Sequence, residues 1–142
     1  MTSLRFDIDA LMARLGEKRA RRAHAYLAEA RVNLLAIEDG RVIAIVTGET
    51  GNLYPVEARD DGEGECACPD FPLERTCKHI GAVALAADGL TLRDTRRLDG
   101  RLSNLRAALE LESREDVIQR VMDLARFTPG VIDALEPKDD AA

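Results

Sequence analysis

Between positions 66 and 79 the chain reads Cys66-Ala67-Cys68-Pro69-Asp70-Phe71-Pro72-Leu73-Glu74-Arg75-Thr76-Cys77-Lys78-His79. This C-x-C-x8-C-x-H run uses all three cysteines of the protein and one of its two histidines. Thiolates and imidazoles are the donors that zinc takes in a tetrahedral shell, and three cysteines with one histidine is an established structural set. A closed shell of four protein ligands leaves no position for an activated water, so the metal is expected to be structural and the chain not an enzyme. An iron–sulfur cluster, which usually wants four thiolates or a different histidine placement, is the lesser alternative. Three free cysteines beside an incidental histidine is the bland one. An odd cysteine count crowded into one short segment argues against a disulfide framework.

The ligands need elements to aim them. On a strand, residues i and i+2 point the same way, so Cys66 and Cys68 can converge from one strand end. Within a helix, i and i+2 lie about 200° apart, so Cys77 must precede a helix whose first turn carries His79. Ile80, Val83, Ala84 and Ala87 supply the period of that helix, which stops at Asp88-Gly89. Upstream, Val32 to Ile37 and Arg41 to Val46 flank an Asp39-Gly40 hairpin signal. Leu53 to Ala58 and Glu63 to Cys68 complete a four-stranded meander, with Pro55 implying an edge position or a bulge.

Before the sheet, Asp7 to Leu15 and Glu17 to Arg31 read as helices separated by Gly16. The second has Ala20, Ala23, Leu27 and Ala30 as its expected buried stripe. After the metal segment, residues 90–101 read as a connector. A short helix is expected near Leu102 to Leu109, another after the capping box Ser113-Arg114-Glu115-Asp116, and a last one opened by Thr128-Pro129. The fold class is therefore α+β: N-terminal helices, a small antiparallel meander, a Cys₃His site leading into a helix, and C-terminal helices. The expected division is residues 1–89, a helical extension over 90–136, and a disordered tail over 137–142.

The 142 residues are 46% hydrophobic and 32% charged, enough to bury a core and too apolar for a disordered chain. Net charge is −6, so any contact with nucleic acid must rest on a local patch. The balance runs +3 over residues 1–31, −6 over 38–66, +2 over 67–109 and −5 over 110–142. Lys18, Arg19, Arg21 and Arg22, joined by Arg75 and Lys78 beside the cysteines, are the candidate phosphate contacts. A solvated helix face is the plainer reading of the same residues. Two tyrosines, three phenylalanines and no tryptophan give little material for stacking on bases. His24 reads as a surface residue, and Asp70 and Glu74 as loop solubilisers. No apolar stretch could span a bilayer, no secretory leader is evident, and no phosphate-cradling glycine loop is present. An intracellular, cytoplasmic and reduced setting is expected, with no membrane and no small-molecule substrate as partner.

The ligand run resembles the SWIM zinc finger, whose pattern is two cysteines one residue apart, a variable gap, then C-x-H. The similarity extends over roughly residues 14–88. It takes in the Arg-rich helix with Tyr26, the meander at Val42 to Gly48 and Tyr54-Pro55-Val56, Cys66-x-Cys68-Pro69, and Cys77-Lys78-His79 followed by the small-residue helix Ile80-Gly81-Ala82-Val83. The resemblance implies a module associated with DNA binding or protein–protein contact in helicases, transposases, recombination factors and ubiquitin-ligase kinases. This sequence carries no fused ATPase, nuclease or kinase. It therefore resembles a stand-alone form whose partner, such as a helicase or another DNA enzyme, would act in trans. Two functions follow as expectations: a DNA-associated accessory factor, or a protein-interaction adaptor that does not touch DNA.

Overall fold

The computed structural model describes residues 4–74 and 76–138. Two helices, α1 (Ile8–Leu15) and α2 (Glu17–Ala28), lead into four strands, β1 (Val32–Glu38), β2 (Arg41–Thr47), β3 (Leu53–Arg59) and β4 (Gly64–Cys66). One turn, α3 (Phe71–Glu74), and a longer helix, α4 (Lys78–Asp88), follow. Four more helices complete the described chain: α5 (Leu92–Leu98), α6 (Arg101–Glu110), α7 (Arg114–Phe127) and α8 (Val131–Leu135). The α+β class expected from the sequence is the class observed. None of these helices is long and apolar enough to cross a membrane.

The sheet is an antiparallel meander in the order β1-β2-β3-β4. Asp39 and Gly40 turn the first hairpin with φ of 46° and 77°, the left-handed pair that matches the twist of the strands they join. Pro55 pairs with Ile45 of β2, while β4 reaches along β3 only from Ala58 to Val56. The half of β3 that holds Pro55 is thus an open edge, where a missing N–H costs no ladder bond. The bulge lies instead in β1, between Leu34 and Ala36.

Alternation along β2 buries Val42, Ala44 and Val46 on one face and leaves Ile43 and Ile45 half-buried on the other. On the buried face lies α4, whose residues His79 to Ala84 are all buried and which packs against α1, α2 and the strands. Each fully buried Ile or Val here, such as Ile80, Val83 or Val42, contributes about 1.5–3 kcal/mol. Gly81 lets α1 and α2 pack closely on α4. A Cβ at that position would lie 2.6 Å from Leu15 Cδ1 of α1, nearer than packed carbons approach, and 3.1 Å from Ala23 Cβ of α2, so those neighbours would have to shift.

Several local readings are corrected. The buried face of α2 runs through Ala23 and Tyr26, while Leu27 is 39% exposed and Ala30 lies beyond the helix end. The expected connector is largely helical, because Thr91 caps α5 by accepting from Asp94 N and Leu98 is fully buried. Thr128 ends α7 rather than opening α8, which begins after Gly130 at φ +87°. The cap at Ser113 is as expected, its Oγ accepting from Asp116 N at 3.1 Å.

The chain divides into two compact units, residues 1–103 and 104–142. Within the first, Glu38 at the end of β1 holds the opening turn of α6. Its carboxylate accepts from Leu102 N (2.7 Å), Ser103 N (3.1 Å) and Ser103 Oγ (2.8 Å). The Ser103 hydroxyl bond, then the two backbone donors, hold its pKa below the ordinary carboxylate value. A depressed folded-state pKa adds stability that is present above the unfolded carboxylate pKa and lost as pH falls through the folded one. Glu38→Gln is expected to lower the melting temperature at pH 7. The gap to wild type should close as the pH falls below the ordinary carboxylate range and the native carboxylate protonates in turn. Thermal denaturation across that range checks this, and a gap that persists at low pH refutes it.

Candidate metal centre

Cys66 is the last residue of β4, Cys68 lies just beyond the strand, Cys77 is the N-cap of α4, and His79 sits in the first turn of that helix. Cys77 before the helix and His79 inside it is the placement the spacing demands. Cys68 falls past the strand rather than on it, because β4 is shorter than the sequence pattern suggests. Convergence survives, since Cys68 N donates to Cys66 Sγ at 3.4 Å and so folds the turn around the sulfur.

All four side chains are buried, and their ligand atoms lie within 4.8 Å of one another. His79 Nδ1 stands 3.5 Å from Cys66 Sγ and 3.9 Å from Cys77 Sγ. Tetrahedral zinc, with bonds of about 2.3 Å to sulfur and 2.0–2.1 Å to nitrogen, requires a sulfur–nitrogen separation of about 3.6 Å. The observed spacings bracket that value, so the donor set fits a tetrahedral ion bound through Nδ1. When bound, such an ion would supply cross-linking of β4 to α4 rather than a reactive species.

Two aromatic rings close the histidine in. Tyr26 of α2 lies at a centroid distance of 5.3 Å from the His79 ring and Tyr54 of β3 at 5.0 Å. Gly48 makes room for the second, because a Cβ there would meet Tyr54 Cε2 at 2.8 Å. Lys78 Nζ and the Arg31 guanidinium approach the Tyr26 ring at 5.5 Å and 5.3 Å from its centroid, within cation–π range. Arg31 is itself fixed by an ion pair to Glu29 and a 2.9 Å bond to Gly48 O. Arg31 has no signal in the sequence as a site residue, and Tyr26 and Tyr54 enter only through the family resemblance, because the apolar stripe through Leu27 points elsewhere.

The three sulfurs do not behave alike. A hydrogen bond from the Cys66 thiol, followed by bonds from His79 and the Ile80 N–H, holds Cys77 down to about 4 against the penalty of burial. The helix end adds a favourable positive field for that thiolate. Sharing its proton with Cys77 pushes the Cys66 thiol far up, and burial raises Cys68. In the metal-free cluster the protons are thus held at Cys66 and Cys68 in preference to Cys77.

Of the basic residues singled out from the sequence, Lys18, Arg21 and Arg22 are exposed on α2. Arg21 is paired with Glu17 at 3.0 Å, and half-buried Arg19 donates to Leu15 O at 2.7 Å. Lys78 is half-buried over Tyr26. Arg75 lies outside the described residues, as do Asp139 and Asp140 of the tail. His24 and Asp70 are exposed, as expected of surface residues.

Comparison with known protein families, with curated proteins and with solved structures finds no match. The geometry of the cluster therefore carries the functional reading by itself.

Binding of a divalent ion is expected to release protons, because thiols must ionise to become ligands and Cys66 and Cys68 hold theirs. Apparent affinity should then rise with pH around neutrality. Titration calorimetry in buffers of differing ionisation enthalpy measures the release, and binding that displaces no proton contradicts it. Stripping the metal, or the substitution Cys77→Ser, should abolish the cooperative thermal transition of residues 1–103, since structural zinc contributes ~10–16 kcal/mol of apparent binding free energy.

Proposed function

We propose that this chain is a SWIM-type zinc module that acts as a non-enzymatic accessory factor on DNA, in replication, repair, recombination or transposition, together with a protein partner in trans. The closed donor set Cys66, Cys68, Cys77 and His79 is the observation that carries the reading, since a fully protein-ligated ion organises a surface instead of performing a reaction. Zinc is the metal assigned, because three sulfurs and one imidazole suit its soft, tetrahedral preference better than that of the harder divalent ions. A reducing, cytoplasmic setting fits three unbridged cysteines.

The proposed DNA contact lies where Lys78 and Arg31 approach Tyr26 beside the metal centre, with Arg22 one turn back on α2. Lys78 and Arg31 over one ring, with exposed Arg22 a turn away, give phosphate oxygens a local positive field on an otherwise acidic chain. A second reading, the adaptor that leaves DNA untouched, is favoured by the ion pair of Arg21 with Glu17 and by the net charge of −6. Both draw on the same zinc-stapled scaffold.

A salt titration separates them. Affinity of the zinc-loaded protein for duplex or single-stranded DNA should fall linearly in log affinity against log salt. Arg22→Ala and Lys78→Ala should each make that slope shallower by about 1, with metal content unchanged. Absence of measurable binding at low salt rules out the DNA reading and leaves the adaptor.

A further inference from the structure

No described residue of the second unit is buried, although α7 carries Val117, Ile118, Val121, Met122, Leu124 and Ala125 on an arc of about 160°. A stripe that wide belongs to a helix that faces a core. Its centre is partly covered, since Val117, Val121 and Ala125 are half-buried, as is Val131 of α8. The edge is open, with Ile118 42% and Met122 55% exposed. Residues 104–142 are also fewer than the roughly 40 from which a chain can usually assemble a core unaided.

The charges along the open edge specify what covers it. Following the helix, the order is Glu115, Ile118, Met122, Arg126, spaced by three, four and four residues and therefore on one side. The order is its own complement when reversed. An antiparallel copy related by a two-fold axis near residue 120 sets Ile118 against Met122 and Glu115 against Arg126 at both ends. A parallel copy would oppose like charges at both ends. Among the described residues Glu115 has no ion pair, and Arg126 has only the exposed ring of Phe127 beneath it at 5.9 Å. Both charged groups are free to pair outward.

We infer that α7 is a self-association surface whose occupant is a second copy of this chain, packed antiparallel through Ile118 and Met122 and registered by two Glu115–Arg126 ion pairs. The 14 residues of α7 span about 21 Å, so the contact is smaller than a standard interface and the dimer should dissociate on the order of micromolar. This inference rests on α7 alone and does not depend on the zinc or DNA reading.

Sedimentation equilibrium of the full metal-loaded chain across roughly 1 to 500 µM should show a monomer–dimer equilibrium. Ile118→Glu, at a position already open to solvent, should weaken the dimer at least a hundredfold while circular dichroism stays unchanged. Glu115→Arg and Arg126→Glu should each weaken it roughly tenfold by placing like charges at both ends, and the double reversal should restore it to within about threefold. A chain that is monomeric throughout, a dimer indifferent to Ile118→Glu, or a double reversal no better than the singles overturns the inference.

Discussion

Four ligand atoms held within 4.8 Å of one another, in a place closed to solvent, set the terms for the rest of the first unit. Buried thiolate and imidazole are costly to leave without compensation, and among protein-side partners here there is only a weak net of sulfur hydrogen bonds. The surrounding architecture serves that cluster. β3 and β4 bring two cysteines to the sheet end, α4 starts where its N-terminal field meets Cys77, Gly81 leaves room for Leu15 and Ala23 against α4, and Tyr26 of α2 lies against the imidazole. Gly48 does the same for Tyr54 on the opposite side.

Much of this was legible because it rests on local rules. The Asp39-Gly40 hairpin, the Ser113 cap and the requirement that Cys77 precede the helix bearing His79 follow from backbone sterics and helical angle alone, and each is observed. What could not be read was set by tertiary packing. Leu27 and Tyr26 are adjacent on α2, and only the position of His79 decides that the ring turns inward. The same holds for Leu98, whose burial makes a helix out of a segment with no clean period. Arg31 is a further case. It lies just past α2, and its role arises from Gly48 O and the Tyr26 ring, contacts distant in sequence or defined only once the ring is placed.

The two units differ in what stabilises them. The first concentrates its burial on α4, a helix apolar on nearly every side, and adds the metal site to it. The second has local helix capping and short-range ion pairs, such as Arg120 with Glu112, but no residue withdrawn from solvent among those described. Helices of this length draw most of their stability from packing rather than propensity, so the apolar stripe of α7 is where the second unit has most to gain from association.

The protein has no tryptophan and two tyrosines, and both phenol rings lie against the imidazole of the metal cluster. Its tyrosine emission consequently originates within about 6 Å of the His79 ring rather than from the bulk of the fold. Changes at the Cys₃His cluster are thereby written into the tyrosine emission of the unlabelled chain, while events in the C-terminal helices, which contain no tyrosine, leave that emission silent.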